Sequence, residues 1–151
     1  MFRSTLKHTM VASSLALAMM ALAGQANAVC TGNTRITSSA ALVTLLGGKT
    51  VCVPAVTVPT MTWQEKHVGV TAAGGQLIDF KRGPGHAIDP EEPVGTWSVI
   101  SNNGGQQAQV VHNYGTGGTY TYTVHNNGDG THSFCAGALE FIAAIKAGPG
   151  C

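Results

Sequence analysis

From Lys49 onward the chain is cut into short runs by clusters of small and polar residues. These are Ala73-Gly74-Gly75, Asn102-Asn103-Gly104-Gly105, the glycine-rich stretch 115–118 and Asn127-Gly128-Asp129-Gly130. Asn-Gly and Asp-Gly steps are the strongest local hairpin signals, because tight hairpin turns need positive φ at their centre. The runs between the clusters predict strands over 50–58, 62–70, 76–82, 95–101, 107–114, 119–126 and 131–135. Pro54 makes the first of them an edge or bulged strand. Segment 138–146 is ambiguous: Leu139, Phe141, Ala143 and Ile145 alternate as in a strand, but its alanines also suit a helix.

Composition supports strands. Beyond residue 28 the chain has five Leu against 13 Val, 15 Thr and 19 Gly. β-branched side chains suit a pleated, half-buried surface. One helix is expected near the start of this part, capped by Ser38 or Ser39, running over 40–46 and ended by Gly47-Gly48. Leu42, Leu45 and Leu46 give it an apolar face. The fold class is therefore all-β, mainly antiparallel: a small barrel or sandwich of seven or eight strands with one short N-terminal helix. There is no internal repeat and no domain boundary.

Residues 1–28 read as a cleavable export signal. Arg3 and Lys7 form a positive start, an apolar run follows from Met10 to about Gly24, and Ala26-Asn27-Ala28 supplies the small residues a signal peptidase needs. Ser13 and Ser14 interrupt a run already short for a bilayer span. Val29 rather than a small residue precedes Cys30, which argues against lipidation. The remaining 29–151 is a single domain expected in the periplasm or outside the cell, with no membrane insertion. It carries six Lys/Arg against seven Asp/Glu, a net charge of −1. That balance argues against an electrostatic grip on nucleic acid or anionic lipid.

Four cysteines follow the leader: Cys30, Cys52, Cys135 and Cys151. In an oxidising compartment an even number reads as two disulfides, and no C-x-x-C pair favours a metal. Sequential pairing, Cys30–Cys52 with Cys135–Cys151, closes the shortest loops and is the connectivity expected on entropy.

No catalytic motif is complete. Gly48-Lys49-Thr50 resembles the end of a phosphate loop, but Val43 stands where its first glycine belongs. Glu65-Lys66-His67 lacks the order of a zinc helix, and no G-x-S-x-G is present. The segment 63–83 carries the densest chemistry. Trp63, Glu65 and His67 share one strand face. A hairpin closing around Ala73 would set His67 opposite Asp79 and Glu65 opposite Lys81, two favourable cross-strand pairs. In that register Asp79 orients His67 and raises its pKa, which opens a general-base reading. His125 and His132 are expected opposite each other across their turn, with His112 on the same face if its hairpin closes through four residues. These three read as exposed strand histidines, with no metal bound. Tyr114, Tyr120 and Tyr122 surround a glycine-rich turn, with Trp97 on a neighbouring strand; they suit a core or a contact surface. The acidic stretch around Asp89, Glu91 and Glu92 reads as a solvated loop.

Gly95-Thr96-Trp97 resembles the G-x-W that opens the first barrel strand of lipocalin-like and avidin-like proteins, whose barrels bind ligands. The resemblance covers three residues, in mid-chain, and assigns no binding residue. More broadly, 49–52, Trp63-Gln64-Glu65, 95–98, Tyr120-Thr121-Tyr122 and Phe134-Cys135 look like short exported bacterial proteins of unassigned function.

The function expected from sequence is an exported, non-enzymatic β domain that binds a protein or an envelope polymer, without a cofactor. One alternative is a barrel-type small-molecule binder with Trp63 and Trp97 in its cavity. Another is a small hydrolase or lyase using His67, Asp79 and Glu65. The binding residues to examine are Trp63, Glu65, His67, Asp79, Lys81, Trp97, Tyr120 and Tyr122.

Overall fold

The computed structural model describes residues 30, 34–54, 63–80, 91–102, 104 and 107–151. The leader 1–28, Lys81 and His86 lie outside them. A helix α1 (Ser39–Leu46) is followed by eight strands: β1 (Lys49–Val53), β2 (Trp63–His67), β3 (Gly75–Asp79), β4 (Glu92–Asn102), β5 (Gln107–Asn113), β6 (Thr119–Asn126), β7 (Thr131–Ala136) and β8 (Leu139–Ala147). Each strand pairs antiparallel with the next, and β8 returns to β1, so the sheet closes into a barrel. Closure removes sheet edges altogether, so β1 is no edge strand; it ends at Val53, one residue before Pro54. Segment 139–147 is a strand, with Phe141, Ala143 and Ile145 packed on or in the core.

Helix α1 lies across one end of the barrel. The Ser38 hydroxyl accepts from the Ala41 N–H at 3.4 Å, capping the first turn. Leu42 and Leu46 are fully buried in the core. The connection to β1 is tight: a Cβ on Gly47 would stand 2.8 Å from the Val43 carbonyl oxygen and 2.9 Å from that of Gly69. Gly48 N–H then donates to the His67 carbonyl at 2.7 Å, tying the helix end to β2. Val51, Leu77, Val99, Val110, Val124 and Phe134 complete an apolar core with α1.

At this same end the β2–β3 hairpin folds over β4. The Trp97 indole N–H donates to the Val68 carbonyl at 2.7 Å, and Ala72 accepts from the Val99 N–H at 2.8 Å. Gly74 makes the approach possible: it has φ +70°, and a Cβ there would fall 1.7 Å from the Trp97 carbonyl oxygen. Trp97 is thereby buried in the core.

The disulfides differ from the sequential pairing. They join Cys30 to Cys135 and Cys52 to Cys151, with Cα atoms 6.1 and 5.9 Å apart. Lengthening a loop fourfold adds only about 1.2 kcal/mol of closure entropy, so the meeting of chain ends on a closed barrel outweighs loop length. Cys52 and Cys135 alternate with the inward-facing Val51 and Phe134, so each bridge fastens a terminal segment to the outer wall. The C-terminal segment is further held by Thr50, whose hydroxyl donates to the Gly148 carbonyl at 2.7 Å and accepts from the Gly150 N–H at 3.0 Å. Gln64 Oε1 accepts from the Cys151 N–H at 2.8 Å. This cover explains why Thr50, Cys52 and Gln64 are buried although they alternate with the inward positions.

Candidate functional site

Alternation sends Trp63, Glu65 and His67 of β2 to the lumen side. Their partners differ from the expected ones by two residues. Glu65 pairs with Asp79 and His67 with Leu77, so the hairpin is centred one position earlier than Ala73. The face is preserved because the shift is even. Gly69 and Gly74, both at positive φ, shape the turn, the Val68 N–H donates to the Gln76 carbonyl, and the packing of Gly74 against the Trp97 backbone of β4 fixes where it closes. The expected His67–Asp79 pair is therefore not formed. Lys81, the expected partner of Glu65, lies outside the described residues.

His67 meets another histidine instead. Its Nε2 lies 2.9 Å from Nε2 of His112, on β5 across the lumen, and its Nδ1 lies 3.3 Å from the Glu65 carbonyl oxygen. His112 Nδ1 is 3.2 Å from the Tyr114 hydroxyl and 3.7 Å from Glu65 Oε2. The Tyr114 hydroxyl in turn donates to the Glu65 carboxyl at 2.8 Å. Glu65, Tyr114, His112 and His67 thus form a continuous polar chain from the end of the lumen opposite α1 toward the centre.

Hydrogen-bond logic fixes its direction. A carbonyl can only accept, so His67 carries its proton on Nδ1 and its Nε2 accepts from His112 Nε2–H. His112 Nδ1 is then an acceptor facing Tyr114. Tyr114 has one proton for two claimants, His112 Nδ1 and the Glu65 carboxyl. If Glu65 is protonated, it can donate to the Tyr114 oxygen while Tyr114 donates to His112, and every link is satisfied. If Glu65 is ionised, it takes the Tyr114 proton and His112 Nδ1 loses its donor.

Burial shapes the titration of all four. Desolvation pushes Glu65 up to about 7, with Asp79 adding to the effect and the Tyr114 hydrogen bond opposing it. His67, fully buried, is held well below the ordinary histidine value by burial and then by His112, against its hydrogen bond to the Glu65 carbonyl. This reverses the rise expected from an Asp79 partner. Burial alone brings His112 down to about 4. Tyr114 is pushed far up by burial and by Glu65, so it stays a neutral donor.

An aromatic belt surrounds the chain. Trp63 packs edge-on to Phe141 at 5.4 Å, Phe141 to Tyr122 at 5.3 Å, Tyr122 stacks with Tyr120 at 6.4 Å, and Tyr120 meets Tyr114 at 5.9 Å. Tyr122 is buried and Tyr120 is 42% exposed, so the belt passes from core to surface. Trp63 and Trp97 do not share a cavity wall: Trp97 packs on His67 toward the α1 end, 5.1 Å between rings.

Two residues of the site, His112 and Tyr114, were not among the binding residues expected from sequence. His112 belongs to the lumen, in register with Tyr120 and Trp97. The alternation Ala108, Val110, His112 in Gln107–Asn113 carried that signal, since two apolar neighbours two residues apart define the inward face. Tyr114 continues the same series. His125 and His132 are not opposite each other; His125 pairs with Ser133 and His132 with Asn126. The offset of one residue puts the two histidines on opposite faces. His125 is buried on the outside, against Thr34 and Thr123.

No protein-family model, curated protein or solved structure matches this chain.

Proposed function

We propose that this is an exported, non-enzymatic barrel that binds a small organic molecule at the end opposite α1. The observation that carries this reading is the hydrogen bond from Tyr114 to Glu65 across the lumen, set inside the belt of Trp63, Tyr120, Tyr122 and Phe141. The interior of an eight-stranded barrel is just wide enough to be filled by side chains or to hold one small ligand. Here the α1 half is filled by Leu, Val and Phe. The other half presents rings and a few polar groups, the composition of a ligand site. Both ring nitrogens of His67 and of His112 have partners within the protein, which favours a positioning role for them over proton transfer to a substrate. Two disulfides fit an oxidising compartment, in agreement with the leader, and no described helix is long and apolar enough to cross a membrane.

Contact with a protein or envelope polymer is the second reading. It is favoured by Ile100 and Ile142, exposed at 44% and 42% on the outer wall. A fragment screen on isotope-labelled protein separates the two. Shifts confined to Trp63, Tyr114, Tyr120 and Phe141 are the expected result. Shifts confined to the outer wall on adding soluble envelope fragments would replace this reading by the second.

A further inference from the structure

We propose a second binding site at the α1 end of the barrel, opposite the mouth, where Lys49, Asn126 and His132 hold the carboxylate of a small amphipathic acid and the flank of α1 holds its alkyl or aryl body. Strand alternation brings the three polar residues together. Val51 of β1, Val124 of β6 and Phe134 of β7 face inward in the core. Two residues nearer the rim, the same face carries Lys49, Asn126 and His132. Asn126 and His132 are direct cross-strand partners. Helix α1 crosses this end, with Leu42 and Leu46 filling the barrel. Its other side, Ala40, Ala41, Thr44 and Leu45, lines a groove of about 450 Å³ together with Ile36 and the three rim residues. The two alanines are exposed and leave open the space that larger side chains would fill. A groove of this size is in the range of small-molecule sites.

The polar side chains of the groove present donors. Lys49 Nζ donates to the Thr44 carbonyl at 2.9 Å, which fixes the ammonium at the groove and leaves its other protons for a ligand. Asn126 Oδ1 accepts from the Gly128 N–H at 2.9 Å, so the Nδ2 amide is the end on offer. His132 Nδ1 is buried with no hydrogen-bond partner. A buried N–H without an acceptor is the rarer arrangement, so the proton belongs on Nε2, at the accessible edge of the ring. No carboxylate lines the groove, and α1 carries no charged residue. Asp129, in the adjoining turn, accepts from the Thr131 N–H at 2.9 Å and from its hydroxyl at 2.6 Å. One cation and two neutral donors beside an apolar flank match a singly charged carboxylate on a hydrocarbon body. An alcohol would leave the ammonium without a counter-charge, and an amine would meet a like charge.

The titratable groups around His132 are Asp129 on its own hairpin and Lys49 from β1. Its register partners, Asn126 on β6 and Ala143 on β8, do not titrate, and neither does any side chain of α1. Arg35, beside Ile36, donates to the Ala108 carbonyl on β5. Burial holds the His132 pKa below the ordinary histidine value, with Asp129 opposing and Lys49 adding to the effect. A carboxylate bound between His132 and Lys49 favours the imidazolium and so raises that pKa.

The test is an NMR titration of the purified, isotope-labelled, disulfide-bonded protein with hexanoate, hexan-1-ol, hexylammonium and acetate. Hexanoate should shift Leu45, Lys49, Asn126 and His132, and bind about tenfold tighter than hexan-1-ol. Hexylammonium should bind more weakly than the alcohol, and acetate, which lacks the apolar body, more weakly than hexanoate. Saturating hexanoate should raise the His132 pKa. Lys49→Met should reduce hexanoate to the affinity of the alcohol, whereas Lys49→Arg keeps the preference. Ala41→Trp, at an exposed helix position, should fill the groove and weaken both ligands together. Equal binding of hexanoate and hexan-1-ol overturns the proposal, as does a preference that survives Lys49→Met. Shifts confined to Trp63, Tyr114 and Tyr120 would place the acid at the mouth and overturn the α1 site while leaving the mouth as a ligand site. No shift at millimolar hexanoate overturns it as well.

Discussion

The Tyr114 hydroxyl donates to the Glu65 carboxyl at 2.8 Å across the barrel, although β3 and β4 stand between their strands in the wall. This one bond joins the carboxyl to the two central histidines, and its single proton makes Glu65 ionisation and histidine hydrogen bonding one event.

A pH optimum of stability follows. Glu65 has a folded pKa of about 7 against an ordinary 4.5, so its contribution is fully present below 4.5 and is lost as pH rises through 7. His67 and His112 have depressed folded values, so theirs is present above 6.5 and is lost as pH falls, for His112 through about 4. Between 4.5 and 6.5 the unfolded chain binds two protons on the histidines and the folded chain one on Glu65, so stability rises with pH. Above 6.5 only Glu65 titrates, and stability falls. Urea unfolding across pH should show a maximum near 6.5 from these groups. Glu65→Gln should remove the alkaline decline, which between pH 6.5 and 7 is under about 1 kcal/mol, and should steepen the acid limb, where most of the roughly 3 kcal/mol that Glu65 loses between pH 4.5 and 7 offsets the histidines.

The tautomers give a second expectation. Long-range ¹⁵N correlation of the imidazoles near neutrality should show His67 protonated on Nδ1 and His112 on Nε2. Tyr114→Phe removes the donor to both Glu65 and His112 Nδ1. It should raise the Glu65 pKa further, because the lost hydrogen bond lowers it, and destabilise the fold by about 1–3 kcal/mol. A Glu65 pKa that stays put in Tyr114→Phe would show that the bond is absent in solution.

Much of the wall was legible from local signals. Ser38 and Gly47-Gly48 marked both ends of α1, and the glycine and Asn-Gly clusters located four of the strand connections. The closed barrel over a sandwich was not legible, since the β1–β8 pairing joins residues nearly 100 apart. The hairpin register failed for a related reason. Ala73-Gly74-Gly75 signals a turn, but packing of Gly74 against Trp97, on another strand, determines where it closes. Glu65, His67, Trp63 and the tyrosines were recognisable as chemistry-bearing residues facing one side. Their connection through His112 and Tyr114 needed the wall to curve, because only a closed lumen brings β5 across to β2.

Peptide mapping of the unreduced protein should recover Cys30 linked to Cys135 and Cys52 linked to Cys151. Each closes a loop of about 100 residues, for which chain entropy gives about 4.7 kcal/mol of stabilisation. Cys52→Ser with Cys151→Ser should lower the unfolding free energy by up to that amount. The loss should exceed the ~3 kcal/mol of a short sequential loop. A Cys30–Cys52 peptide in the digest would contradict the barrel's placement of both termini.

Gly74 offers the sharpest steric test. A Cβ there meets the Trp97 carbonyl oxygen at 1.7 Å and the Ser98 Cα at 2.9 Å, both of them backbone, so nothing soft can yield. The residue also sits at φ +70°, which an L side chain resists. Gly128 has a similar φ of +81°, with nothing within 4 Å of the added atom. Gly128→Ala therefore carries the conformational penalty alone, about 1 kcal/mol, whereas Gly74→Ala should cost clearly more because the hairpin must lift from β4. Lifting it breaks the 2.7 Å bond from the Trp97 indole to Val68, so Trp97 fluorescence should shift in Gly74→Ala and stay unchanged in Gly128→Ala. Equal stability loss in the two variants, with no change at Trp97, would mean that the hairpin does not rest on β4.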